Sequence, residues 1–188
     1  MKLTVDMMAP GFDTEDIFGN QVSLKSYAGR LLLLSFFRNG ACAMCNLQVH
    51  HLIQRFPEYH SRGLEVVAVF ESPRESVLAH VSRQNAPFPI IADPSATLYD
   101  LYDVETSQDK VLAPGDEAWR SGMIREAEAI GYKLTHEDGS NFFRMPADFL
   151  IRPDGRIRAA FYSNAVGEHI PWQQIDDALT SSRAISTP

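Results

Sequence analysis

The stretch Leu31-Leu32-Leu33-Leu34-Ser35-Phe36-Phe37-Arg38-Asn39-Gly40-Ala41-Cys42-Ala43-Met44-Cys45 passes from a mostly apolar run, through a polar break, to two cysteines three positions apart. An apolar run of this length without alternation reads as a strand buried on both faces. Beyond the break, Cys45, Val49, Leu52 and Phe56 recur at steps of four, three and four, the spacing of one helix face. The cysteines therefore stand where a core strand gives way to a helix. Pro57 falls within that pattern. Proline removes a backbone donor and clashes with the preceding turn, so a kink or the helix end is expected there.

Upstream, the segment from Ala9-Pro10-Gly11-Phe12 to Leu24 alternates apolar and polar residues around a Gly19-Asn20 turn, which predicts a small β-hairpin. Downstream, residues 64–70 predict a second buried strand, followed by a helix opened by Ser72-Pro73-Arg74-Glu75. There Ser72 would cap, Pro73 would fill the first turn and Glu75 would close a capping box. Strand, helix and strand in that order imply a parallel pair. After Phe88-Pro89-Ile90-Ile91-Ala92-Asp93 come a short helix over 97–102 and a less regular stretch, 104–143, that reads as an insertion. Inside it Trp119, Met123, Ala127 and Ile130 fall at helical spacing, which predicts one amphipathic helix covering apolar surface.

Strands over 147–151 and 156–162 flank Arg152-Pro153-Asp154-Gly155, a tight reversal that makes them antiparallel neighbours. A terminal helix from about Pro171 carries Trp172, Ile175 and Leu179 on one face. The expected architecture is one α/β domain over residues 1–188, a mixed central sheet with helices on both faces.

With 188 residues, 45% hydrophobic and 22% charged, the chain can bury a full core without disulfide staples. A net charge of -7 with no basic stripe argues against nucleic acid as a partner. The apolar run 31–37 is too short to span a bilayer, and Met1-Lys2-Leu3-Thr4-Val5-Asp6 lacks the apolar core of a signal peptide. A soluble, cytoplasmic protein with no membrane partner is expected. In a reducing compartment, two cysteines at this spacing suggest chemistry more than scaffolding.

Two cysteines on the first turn of a helix can approach closely enough for a disulfide. Unpaired N–H groups and the helix dipole at that end favour thiolate over thiol. Cys42 sits at the tip, whereas Cys45 shares its face with Val49, Leu52 and Phe56 and should point to the core. Cys42 would therefore attack a substrate disulfide and Cys45 would resolve the mixed disulfide. Arg38 could add positive charge near the thiolate, or be a solvated loop arginine. Zinc needs four ligands, but there is no second cysteine pair and His50 and His51 project from other sides of the helix. Neither a metal nor a cofactor is expected.

In order of elements and motifs the chain resembles the thioredoxin superfamily and, within it, the peroxiredoxin-like alkyl hydroperoxide reductase/thiol-specific antioxidant (AhpC/TSA) group. The carriers are Ala9-Pro10-Gly11-Phe12, residues 19–24, Phe36-Phe37-Arg38-Asn39-Gly40-Ala41-Cys42-Ala43-Met44-Cys45, and Met145-Pro146-Ala147-Asp148-Phe149-Leu150-Ile151 with Asp154-Gly155. The resemblance implies a thioredoxin-like fold with an N-terminal β-hairpin and a cis-proline beside the active cysteines. Pro146 stands at the matching place, directly before a core strand and after the insertion. A cis bond there would shape a groove where a peptide or thiol lies against the sulfurs.

The departures bear on the reaction. If Cys45 is lined up with the peroxidatic cysteine of peroxiredoxins, Cys42 replaces the family threonine, Arg38 the family proline, and Pro146 the second arginine. Against the thioredoxin pattern, Ala41 replaces the tryptophan, Ala43-Met44 replaces Gly-Pro, and Phe36 occupies the place of the buried aspartate that assists proton transfer. The leading expectation is a thiol–disulfide oxidoreductase cycling Cys42 and Cys45, with a protein or low-molecular-weight thiol or disulfide as partner. The alternatives are a thiol-dependent peroxidase with Cys45 peroxidatic and Cys42 resolving, and a redox-switched binding protein using the 104–143 surface. A homodimer is compatible with each.

Overall fold

The computed structural model describes residues 1–113, 117–133 and 135–184; residues 114–116 and 134 of the 104–143 segment lie outside the described residues. The elements in chain order are β1 (Asp13–Glu15), β2 (Gln21–Ser23), β3 (Leu31–Phe37), α1 (Ala43–Ser61), β4 (Leu64–Phe70), α2 (Arg74–His80) and β5 (Ile90–Ala92). They continue with α3 (Thr97–Leu101), α4 (Gln108–Leu112), α5 (Glu117–Ala129), β6 (Ala147–Ile151), β7 (Ile157–Tyr162) and α6 (Trp172–Ala184). β1 and β2 form the antiparallel hairpin, and a mixed sheet has the order β5-β4-β3-β6-β7. β3, β4 and β5 run parallel, while β6 and β7 are antiparallel to their neighbours.

β3 lies at the centre with every residue buried, which is why its sequence shows no alternation. Its pleat nevertheless divides it between two cores. Leu31, Leu33 and Phe37 pack with Cys45, Val49 and Leu52 of α1 and with Ile175 and Leu179 of α6. Leu32, Leu34 and Phe36 pack on the opposite face with Leu98 and Tyr99 of α3, Phe149 of β6 and Val22 of the hairpin. Each fully buried side chain of this size contributes about 1.5–3 kcal/mol, so the layered arrangement is held chiefly by apolar burial. The amphipathic helix of the 104–143 segment is α5. Its Ala127 is buried against Ala43 and Leu47, with Met123 partly buried beside them, whereas Trp119 and Ile130 are exposed.

Tertiary structure decides three local expectations. α1 runs through Pro57 to Ser61 without ending there. Pro57 is exposed while Phe56 and Tyr59 are buried, so the core stripe fixes the last turn across the missing hydrogen bond. Ser72 does not cap α2: the N-cap is Pro73, without a side-chain cap, and Ser72 Oγ instead accepts from Gly40 N–H at 2.8 Å.

The third is Met145-Pro146. No peptide bond among the described residues is cis, so this one is trans. The backbone before Pro146 is tied in extended form: Arg144 bridges to Thr106, and Met145 N–H donates to Glu105 O at 3.0 Å. Extended backbone is what a residue preceding a trans proline prefers. Pro146 leads into β6 as expected, but through a trans bond, so a cis proline shapes no groove here.

Candidate active site

The polar break after β3 becomes a tight loop, Asn39 to Ala41, in which Cys42 N–H donates to Asn39 O at 3.2 Å. Two buried side chains hold it. Ser72 takes the Gly40 N–H, and Asn46 Nδ2 donates to Gly40 O at 2.8 Å and Cys42 O at 3.0 Å. Gly40 allows a close approach to α2: a Cβ there would lie 3.2 Å from Ser76 Oγ and 3.3 Å from the Ser76 carbonyl. The loop delivers Cys42 to the N-cap of α1, where its sulfur accepts from Cys45 N–H at 3.3 Å.

Both cysteines are free and buried, Cys42 6% exposed and Cys45 2%. Their environments drive them apart. Cys42 accepts a hydrogen bond from the Cys45 thiol, and that contact, more than the nearby Arg38 charge and the helix-end N–H groups, outweighs burial and brings its thiol down to about 7. Cys45 is pushed well above the ordinary thiol range, first by burial and then by donating to, and facing the charge of, Cys42. The pair therefore loses its first proton from Cys42, which leaves a Cys42 thiolate beside a Cys45 thiol. Cys42 also lines a cleft of about 330 Å³, together with Arg38, Asn39 and residues of the 104–143 segment.

A measurable consequence is the pH profile of alkylation. Thiolate is the reactive form, so the rate with iodoacetamide should rise about tenfold per pH unit below pH 7 and level off above it, since Cys45 stays protonated. A single inflection at the ordinary thiol value of about 8.5 would contradict the assigned polarity.

Arg38 is 8% exposed, so it is no solvated loop residue. Its Nε donates to Arg144 O at 3.1 Å and its Nη2 to Phe142 O, while its guanidinium carbon lies 5.2 Å from the Phe142 ring centre. Arg38 and the cysteines are thus brought together. Met145, next to Pro146, belongs to the same core cluster as the two cysteines.

Sequence reasoning missed several polar residues. Asn46 follows the second cysteine directly, and its type in an otherwise apolar helix start was the available signal. Arg144 is buried, pairs with Glu71, donates to Val104 O and lies over the Tyr99 ring at 4.7 Å. Asp148 on β6 was also missed. Opposite Ser35 in the β3–β6 register, its carboxylate accepts from Ser35 Oγ at 2.6 Å, Ile170 N–H at 2.7 Å and His169 Nδ1 at 3.0 Å. The His169 ring packs on Phe37 with centroids 4.9 Å apart. An acid therefore lies under the sheet face that carries α1, supplied by the neighbouring strand.

The AhpC/TSA family model matches residues 5–160. A Mycobacterium tuberculosis protein that bears a peroxiredoxin name is 29% identical over 172 residues, covering 90% of this chain and 91% of its own. The thiol-disulfide oxidoreductase ResA of Halalkalibacterium halodurans is 28% identical over 105 residues, 55% of this chain, and the matched part spans 59% of the ResA length. Among solved structures, peroxidoxin BcpB from Mycobacterium tuberculosis superposes with a TM-score of 0.67 at 14% identity, over 98% of this chain and 99% of that one. That likeness speaks to the fold.

Proposed function

Because the chain belongs to the AhpC/TSA family, we propose that it is a cytoplasmic thiol–disulfide oxidoreductase, active in redox homeostasis, that cycles Cys42 and Cys45 between dithiol and disulfide. The observation that carries this reading is the polarity of the pair. The low-pKa sulfur faces the cleft and the protonated one faces the core.

In the first step Cys42 thiolate attacks one sulfur of a disulfide; a Cys42–S bond forms, the substrate S–S bond breaks, and one half leaves as a thiolate that takes up a proton. This step removes the charge on Cys42. The hydrogen bond to Cys42 thiolate and the repulsion from it, two of the causes that held Cys45 protonated, go with that charge. Cys45 then gives up its proton more readily and attacks Cys42 Sγ, releasing the second half. The substrate gains two electrons and two protons, and the protein is left with a Cys42–Cys45 disulfide.

A peroxidase reading with Cys45 as the attacking sulfur fits less well. Cys45 is both the more buried and the more firmly protonated thiol. Of the two arginines, Arg144 is committed to Glu71 and to the Val104 carbonyl, and Arg38 spends two of its five N–H groups on backbone carbonyls. Losing one fixed donor to a developing oxyanion costs about a hundredfold or more in rate. Stopped-flow reduction of hydrogen peroxide should accordingly be slow. A rate constant of about 10⁴ M⁻¹s⁻¹ or more that survives Cys42→Ser and vanishes in Cys45→Ser would establish the peroxidase instead.

A further inference from the structure

The cleft over Cys42 is walled mostly by one segment, residues 135–142, with Arg38 and Asn39 completing it from the loop after β3. The segment grips the active-site loop on both sides of Cys42. Thr135 Oγ1 donates to Ala41 O at 3.2 Å, and Glu137 Oε2 accepts from Ala41 N–H at 3.3 Å and from Ser76 Oγ at 2.7 Å. On the other side Arg38 donates to Phe142 O and lies against the Phe142 ring. Asn141 Nδ2 adds a bond to Thr106 Oγ1 at 3.0 Å. The N-cap of a helix is ordinarily an open position, yet under this wall Cys42 is nearly covered.

We infer that the 135–142 wall restricts the site to small, zwitterionic disulfides of amino-acid size and excludes protein disulfides, an inference that rests on the thiol–disulfide reading above. Size is the first argument. A space of about 330 Å³ is at the low end for small-ligand pockets. A protein substrate must lay several hundred Å² of its surface around the reacting sulfur, even in a transient redox encounter. The wall occupies the surface where it would lie.

Charge is the second argument. Arg38 is buried and has no carboxylate partner among the described residues. Glu137, across the cleft, has no ion pair among them either, and its Oε1 is buried without a hydrogen-bond partner. An unpaired carboxylate oxygen in a covered position is costly unless a donor meets it. An ammonium group would answer Glu137 and a carboxylate would answer Arg38, each by a charge-assisted hydrogen bond. The disulfide of an amino-acid thiol carries both groups close to its sulfur. Attack by Cys42 releases one amino-acid thiol, and resolution by Cys45 releases the other, with the electron balance given above.

The test uses the prereduced full chain in single turnover, quenched with acid, with Cys42–Cys45 oxidation counted by mass. The probes are cystine (zwitterionic), cystamine (cationic), dithiodipropionate (anionic) and insulin. Each rate is divided by that of free dithiothreitol, to remove intrinsic reactivity. Cystine should exceed either probe bearing charge of one sign only by about tenfold, the worth of one charge-assisted hydrogen bond, and exceed insulin by more. Glu137→Gln should slow cystine and cystamine about tenfold and should not slow dithiodipropionate, whose carboxylates the lost charge no longer repels. Phe142→Ala, which opens the wall without touching Glu137, should raise the insulin rate.

Insulin reacting as fast as cystine, or a Glu137→Gln variant with the probe ranking unchanged, would overturn the inference while leaving a disulfide reductase in place. Failure of every probe to oxidise the pair would instead remove the thiol–disulfide reading on which it stands.

Discussion

Replacing Cys42 by serine abolishes disulfide exchange, whereas Cys45→Ser halts it halfway, with a mixed disulfide accumulating on residue 42. The prediction separates chemistry from folding because of where the two sulfurs sit. Cys42 is the N-cap of α1 and accepts from Cys45 N–H. Serine is among the preferred N-cap residues, so the substitution removes the nucleophile and keeps the cap. In Cys45→Ser a hydroxyl can still donate to the Cys42 sulfur, so the largest cause of the lowered Cys42 pKa is retained. The first attack therefore proceeds and the second lacks a nucleophile. Non-reducing mass spectrometry of each variant after incubation with a small disulfide reads the outcome. The expected loss of exchange in Cys42→Ser is on the order of a thousandfold or more, since a serine hydroxyl is scarcely ionised at neutral pH. An adduct on Cys45 in the Cys42→Ser variant would reverse the roles.

The placement of the two cysteines was legible in the sequence because it follows from two periodicities. An apolar run of strand length gave β3 and β4, and the 4-3-4 spacing gave both the helix and the inward turn of Cys45. What could not be read was anything decided by distant packing. Pro57 breaks a helix by its own chemistry, but the buried Phe56 and Tyr59 on either side keep it helical. Ser72 has the local sequence of a cap, yet the Gly40 N–H, 32 residues away along the chain, offered its hydroxyl a buried donor. Pro146 carried the expectation of a cis bond by resemblance alone, and the extended pairing of 144–145 with 105–106 answers it with a trans one.

The buried acid illustrates the same limit. Sequence comparison pointed to position 36, where Phe36 leaves no carboxylate. Asp148 is 112 positions further on, and only the antiparallel register of β3 with β6, which sets Ser35 opposite Asp148, brings it beneath α1's side of the sheet. One apolar strand with a single acid, Ala147-Asp148-Phe149-Leu150-Ile151, was the available signal.

Asp148→Ala should be the most destabilising single substitution outside the apolar core, at about 3–5 kcal/mol, because it leaves three buried donors unsatisfied at about 1–3 kcal/mol each. Asp148 and Ser35 are both 1% exposed, and the His169 side chain is 4% exposed. Truncation leaves Ser35 Oγ, Ile170 N–H and His169 Nδ1 without their acceptor in a space that water does not reach. Asp148→Asn keeps the volume and one acceptor oxygen, so it should cost less. Urea unfolding at neutral pH gives the comparison, as a lowered midpoint with an unchanged slope. A cost below about 1 kcal/mol for the alanine variant would mean that the network contributes little.

The site should register the change too, because Asp148 anchors the segment that packs on Met44, between the two cysteines. Gly167, at φ +83°, lies against the Met44 methyl, and it stands two residues before His169. Released from Asp148, that segment no longer presses on the start of α1. Cys45, closed to solvent in the native chain, should then react with iodoacetamide measurably faster than in the parent protein.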